Sequence, residues 1–360
     1  MKRILAGLLA VFQLLVCAVP AAAAEWDPAD PNDPLLWEPD LPSFDGPMLR
    51  PGETPEHFSI VLSFTGDMLL ASLHGKREAG NFLDYAARRE PEYFLQNVRP
   101  VFEADDFTVA NLENVLTDRA LTPREKDTSK PAFWFRGPTA NAAILTSSGV
   151  EAVSLSNNHT SDYGSKGYQD TVKAVAAAGL EYGTNDRTLY LEKNGYRIAV
   201  ICHGLWSEAQ AGTIARRIRA AEPDSDFQIV FYHGGAEGVH TPEDWRVRAS
   251  RKLVDAGADL VLGNHPHVLQ PRETYKGVEI VYSLGNFCFG GNRSPKNRTI
   301  IYQLTLHIED GTLTETASEL LPCYVHTGAR VNNFCPALIE DEAERQRVLD
   351  FMDGKLELPY

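Results

Sequence analysis

The chain has 360 residues and a formal charge of −15, from 34 Lys and Arg against 49 Asp and Glu. That length is enough for one large domain or two small ones with a real core. The acidic balance excludes a nucleic-acid binder, which needs clustered cations for the phosphate backbone. Any anionic ligand must be drawn by a local site against the field of the whole protein.

Met1-Lys2-Arg3 is a short basic start, followed by the apolar run "ILAGLLAVFQLLVCAV" and the small residues of "PAAAAE". This pattern predicts a secretory signal peptide over residues 1–24, cut near Ala24, and hence export to the cell envelope or beyond. An uncleaved N-terminal anchor is the alternative. Val16 precedes Cys17 where a lipid-modified cysteine has a small residue. Residues 25–57 are rich in Pro, Asp and Glu and read as an extended linker.

From residue 58 the pattern changes to short β-branched runs alternating with helical stretches. Strands are expected at 58–66, 106–113, 151–158, 196–204, 227–235, 258–265, 278–287 and 299–309. Helices are expected at 91–104, 138–149, 165–179 and 242–257. The last two end in Gly, and the last opens on Thr241-Pro242 as a cap and first-turn pair. Such alternation predicts one α/β domain over 58–325 with a mostly parallel central sheet. Residues 326–360 form a tail with a peripheral helix in "IEDEAERQRVLDFMDGKL". Export permits disulfides, and Cys323 and Cys335, close in sequence, are the first candidates for one; Cys202 and Cys288 read as buried thiols.

In an open α/β sheet, ligands bind beyond the carboxyl ends of the strands. Five successive units place polar groups there: Thr65-Gly66-Asp67; Asn111-Leu112-Glu113-Asn114; Ser156-Asn157-Asn158-His159 with Asp162; His233-Gly234-Gly235 with Glu237; and Asn264-His265-Pro266-His267. "YSLGNF" adds Asn286. Each alone reads as a turn. Together they supply carboxylate, carboxamide and imidazole, the ligand set of borderline or hard divalent ions such as Zn, Mn or Fe. Alternation along an extended segment would point His265 and His267 the same way, with Pro266 stiffening the turn. Two imidazoles could then serve a paired-metal site, with a carboxylate such as Glu113 between the ions.

The motifs "FTGDMLL", "ANLENVLT", "SNNHTSDYG", "YHGGAEG", "GNHPHVLQ" and "YSLGNF" resemble the bacterial capsule synthesis proteins of the CapA type. These are associated with poly-γ-glutamate capsules and belong to the metallophosphatase (calcineurin-like phosphoesterase) superfamily. The resemblance runs from about Ser59 to about Phe289. It implies a four-layer α/β/β/α sandwich with two metal ions. It gives Asp67 as the first metal carboxylate, Glu113 as the bridging one and Asn158 as the metal-binding amide. His233 and His265 complete one ion, and His267 the other. It gives His159 as the proton donor to the leaving group, oriented by Asp162. The chain departs from the wider superfamily's Asp-x-His, since Leu69 stands two residues after Asp67; His74 is the only nearby substitute. Asn264 and His233-Gly234-Gly235 also depart from the capsule pattern.

Three readings follow. One is an exported metal-dependent hydrolase, phosphoesterase-like, acting on a phosphoester or an anionic envelope polymer, alone or within a membrane capsule-synthesis complex. Another is a non-catalytic accessory protein that binds metal and polymer in poly-γ-glutamate synthesis, export or anchoring. The third is an α/β domain whose strand-end polar residues serve folding only.

Overall fold

The computed structural model describes residues 49–75, 79–127, 129, 131–291 and 297–360. The expected signal peptide and the linker up to residue 48 lie outside the described residues. Among these residues no helix is long and apolar enough to cross a membrane.

The first part of the chain supplies β1 (His57–Leu69), β2 (Ser72–Leu73), β3 (Phe107–Leu112), β4 (Val115–Leu116), β5 (Phe135–Gly137), β6 (Ala152–Ser154) and β7 (Glu181–Gly183). The second supplies β8 (Leu189–Lys193), β9 (Tyr196–Gly204), β10 (Phe227–His233), β11 (Leu260–Asn264), β12 (Leu269–Tyr275), β13 (Val278–Leu284), β14 (Asn286–Phe289), β15 (Thr299–Glu309), β16 (Thr312–Tyr324) and β17 (Ala337–Leu338). The helices are α1 (Phe82–Ala86), α2 (Arg99–Phe102), α3 (Ala143–Thr146), α4 (Gly164–Ala177), α5 (Ala211–Ala221), α6 (Asp244–Asp255) and α7 (Glu342–Met352).

Two mixed sheets replace the single, mostly parallel sheet that alternation alone predicts. One runs β17-β16-β15-β1-β3-β6-β7, with β14 also on β1; the other runs β12-β13-β11-β10-β9-β8. Each has parallel strands at its centre and antiparallel strands toward an edge.

Side chains alternate across each strand, and here both faces are apolar. Phe58, Ile60, Leu62 and Phe64 of β1 meet Ile198 and Val200 of β9 and Ile229 and Phe231 of β10 in one core between the sheets. Phe64 and Phe231 pack edge to face, 5.4 Å apart. Ala110 and Leu112 of β3 face outward onto Phe82, Phe102, Leu145 and Val175 of the first helical layer. Ala199, Ile201 and Val230 face outward onto Ile214, Ile218 and Leu253 of α5 and α6. The result is a four-layer α/β/β/α sandwich.

Several local expectations change. The helix expected over 91–104 is a short 3-10 turn at Pro91–Tyr93 followed by α2, because Pro100 lacks a helical donor and restricts the residue before it. The stretch 138–149 likewise holds only a 3-10 turn and α3. Helix α6 starts at Asp244 with Glu243 as N-cap, not at Thr241-Pro242. The tail helix α7 is exposed over most of its length and buries one apolar edge, Val348, Phe351 and Met352, in the inter-sheet core. Cys323 and Cys335 are not bridged; all four described cysteines are free and buried.

Candidate metal centre

The polar strand ends of both sheets converge. Asp67 stands where the β1 ladder is irregular, opposite Asn111 of β3 on one side and Asn286 of β14 on the other. Irregularities of this kind re-aim side chains beside sites. Gly66 permits it, since a Cβ there would collide with the Gly285 carbonyl, to which Asp67 donates its own backbone N–H (2.9 Å). Glu113 follows β3, and Asn158 and His159 lie on the turn after β6. His233 ends β10, and His265 and His267 follow β11.

Asp67 and Glu113 are fully buried, and His233 is 1% exposed. Asn111 Nδ2 donates to Asp67 Oδ1 (2.8 Å) and lies 3.1 Å from His233 Nδ1. Asn158 Oδ1 lies 2.8 Å from His233 Nε2. His265 Nδ1 is 3.0 Å from the same His233 Nε2, and His265 donates its backbone N–H to Asp67 Oδ2 (3.1 Å). His267 Nδ1 lies 3.2 Å from Asp67 Oδ2 and 2.9 Å from Asn286 Oδ1.

His265 and His267 do not reach the centre by strand alternation. Both have left-handed backbones, with φ of 96° and 58°. Such angles are uncommon outside Gly and cost of order 1–3 kcal/mol each. The turn around Pro266 therefore delivers both imidazoles to one cluster at the expense of local strain.

Glu113 has both carboxylate oxygens buried with no hydrogen-bond partner. Three imidazole nitrogens surround Oε1 without closing on it: His233 Nε2 at 3.4 Å, His267 Nε2 at 3.7 Å and His159 Nε2 at 3.9 Å. A buried carboxylate left this way is costly unless something else satisfies it. Oxygen and nitrogen donors arranged around such a gap suit a divalent cation. Two trios bring ligand atoms within 4.8 Å of one another, Glu113 with His265 and His267, and Asp67 with Glu113 and His233. Glu113 is common to both. The trios cut across the division the resemblance implies, since His233 and His265 fall in different ones; the side chains form one continuous cluster.

The charges are arranged to match. Burial pulls the His233 imidazole down, but Glu113 and Asp67 outweigh it and hold it up at about 9. The same contest raises His267 to about 10. Burial and its two charged imidazole neighbours push His265 well below its ordinary value. Despite its burial, Asp67 is held far below the usual carboxylate range by His233 and His267.

His159 stands at the edge of the cluster, 5% exposed. Its Nδ1 lies 2.8 Å from Asp162 Oδ2, which also accepts from the Phe135 backbone N–H (2.8 Å). That leaves Nε2 directed at the centre. Phe135 packs edge-on to the ring at 4.6 Å, and Trp206, 37% exposed, stands 5.0 Å from His265 at the mouth.

All eight residues expected from the sequence are thus brought together. Leu69 is not replaced by another ligand: it is buried among Ala71, Phe135, Phe289 and Val325. His74 is exposed and lies 3.0 Å from Tyr163 Oη, engaged there instead. Asn111 and Asn286 stood at strand ends in the sequence, but their contacts to Asp67 and His267 come only from the parallel register of β3 and β14 on β1. Trp206 gave no sequence signal.

A two-sheet α/β/β/α sandwich with a buried carboxylate, carboxamide and imidazole cluster at its strand ends defines a metallophosphatase-like protein. The comparisons are more specific. The family model described as "Bacterial capsule synthesis protein PGA_cap" matches residues 61–291, and the chain belongs to that family. It is 28% identical over 324 residues to the PGA biosynthesis protein CapA of Bacillus subtilis, covering 82% of this chain and 80% of that one. It is 27% identical over 338 residues to the capsule biosynthesis protein CapA of Bacillus anthracis, covering 86% and 77%. A probable polyglutamine synthesis accessory protein of Mycobacterium tuberculosis is 26% identical over 241 residues, covering 56% and 62%. A hypothetical protein from Thermus thermophilus superposes on 73% of this chain and 99% of its own, with a TM-score of 0.45 and 15% identity.

Proposed function

We propose that this protein is an exported, metal-dependent hydrolase of the phosphoesterase type, acting at the cell envelope in poly-γ-glutamate capsule synthesis. The observation that carries the reading is the unpartnered, fully buried Glu113 carboxylate inside a ring of imidazoles. Asp67, Glu113 and His267 would hold one divalent ion, and Glu113, Asn158, His233 and His265 another, Mn, Fe and Zn all suiting the set. Bound there, such ions supply Lewis acidity toward a phosphoryl oxygen and a nucleophile at neutral pH.

The chain's own residues do the rest. His159 delivers a proton from Nε2 to the leaving oxygen, a task suited to an imidazole near neutrality. The proton delivered is the second one of a doubly protonated ring, whose Nδ1–H is donated to Asp162 and so fixes the ring's orientation. Asn111 and Asn286 hold Asp67 and His267 in place. Phe135 and Trp206 shield the centre's edge from water.

The test is hydrolysis of an aryl phosphodiester and monoester by metal-loaded protein, wild type beside His159→Gln. Turnover lost in the variant with metal content unchanged supports the reading. A second reading, a non-catalytic accessory protein, is favoured by the name of the mycobacterial relative. It predicts metal-dependent binding of poly-γ-glutamate with no turnover of any ester or of the polymer's amide bonds.

A further inference from the structure

Asp162 is a buried carboxylate with no exposed side-chain surface. Oδ2 is occupied by His159 Nδ1 and by the Phe135 N–H. Oδ1 accepts no hydrogen bond, and the ammonium of Lys126 stands 2.5 Å from it as an ion pair. Lys126 comes from the long connection between β4 and β5, with its side chain 24% exposed. The same ammonium donates to the Phe133 carbonyl (2.6 Å) and lies over the Trp134 ring, 5.5 Å from its centroid. The Trp134 indole donates to the Arg124 carbonyl (2.7 Å), and the Arg124 N–H donates to the Asp162 carbonyl (2.8 Å). Lys126 is thus held at three points, and its charge is delivered to one carboxylate oxygen.

A buried carboxylate needs a compensating charge and partners for both oxygens. The two hydrogen bonds both fall on Oδ2 and leave the charge at Oδ1 to be met by Lys126 alone. We propose that Lys126 is a positioning residue for the His159–Asp162 pair: its charge at Oδ1 holds the carboxylate so that Oδ2 aligns the imidazole with Nε2 toward the centre. This rests on reading His159 as the proton donor. Lys126 is not among the metal-ligand candidates, and it reaches His159 through Asp162. The connection that carries it leads directly into Phe135, the first residue of β5, which packs on His159. One segment therefore sets both the orientation of the ring and the wall behind it.

The experiment uses the full chain loaded with Zn, comparing wild type, Lys126→Met and Lys126→Arg. Proton NMR reads the His159 Nδ1–H resonance, assigned by its loss in His159→Gln, and steady-state kinetics on an aryl phosphodiester give kcat and KM. The expected result for Lys126→Met is a lost or shifted resonance with kcat down about tenfold and KM within about twofold, the scale of outer-shell partners at such sites. Lys126→Arg should recover most of both. A Met variant that keeps the resonance and kcat overturns the proposal. Met and Arg variants that fail alike, with lowered melting temperature, also overturn it, because Lys126 would then be a staple for its loop. Wild type that turns over no ester refutes the hydrolase reading instead, and the resonance in the Met variant still decides the role of Lys126.

Discussion

Loading metal into the metal-free protein near pH 6 should release about two protons per fully loaded molecule. The number comes from the cluster. His233 and His267, raised to about 9 and about 10 chiefly by Glu113 and Asp67 against the effect of burial, both carry a second ring proton at neutral pH. His265, pushed well below its ordinary value, brings none, and Asp67 is already ionised. A ligating imidazole must be neutral, so binding expels one proton from each of the two raised histidines. The overall constant for binding both ions should then rise about 100-fold per pH unit between roughly pH 6 and 8, about 2.7 kcal/mol per unit, or about tenfold for each ion. Calorimetric titration with Mn or Zn in two buffers of different ionisation enthalpy counts the protons directly. His233→Ala should reduce the count to about one. Stoichiometric metal uptake with no proton release, or an affinity flat across this range, would refute the assignment of His233 and His267 as ligands.

The metal-free protein should lose stability as pH rises. A histidine whose folded pKa is raised contributes stability that is complete below the unfolded value of about 6.5 and gone above the folded one. Asp105 and Glu151, pushed by burial to about 7 and about 8, act in the same direction at lower pH, because ionising them disfavours the fold. Thermal melts in chelator should therefore fall steadily from about pH 6 to about pH 10, with the part above roughly pH 9 abolished in His267→Ala; a flat profile between these limits counts against the raised imidazoles. Arg246 is fully buried, donates to the Gly234 carbonyl and to Gln270 Oε1, and pairs with Glu243, directly behind His233. Arg246→Ala should cost about 3–5 kcal/mol in denaturant unfolding, the scale of a broken buried pair, and a loss below ~1 kcal/mol would show that the site is solvated. The four buried thiols should be silent to a thiol reagent in the native protein and all react after unfolding without reductant; a Cys323–Cys335 bridge found by mass mapping would contradict the structure.

The centre was legible because its residues obey one rule: polar groups at the carboxyl ends of successive parallel strands. Asp67, Glu113, Asn158, His233, His265 and His267 each follow an apolar run that buries on both faces, so the run locates the side chain. The antiparallel strands toward the sheet edges were less legible. Strand-helix alternation signals parallel pairing and says nothing of β8, β12 and β16, whose antiparallel pairing depends on hairpins and on partly polar sequences. The amphipathic helix α5, "AGTIARRIRAA", was missed because its apolar positions are mostly Ala and Ile spaced among arginines. Lys126 was invisible for a different reason. Its connection has no periodicity, and its role arises from a contact with Asp162 across 36 residues of chain, counted from 126 to 162.

The most direct test of the central claim is elemental analysis of the purified protein after reconstitution with Mn, Fe or Zn, wild type beside Glu113→Gln, with circular dichroism to confirm the fold. The account predicts about two equivalents of one divalent metal in the wild type and loss of most of it in a folded Glu113→Gln. A wild type that holds no metal under any reconstitution, or a Gln variant that holds as much as the wild type, would contradict it.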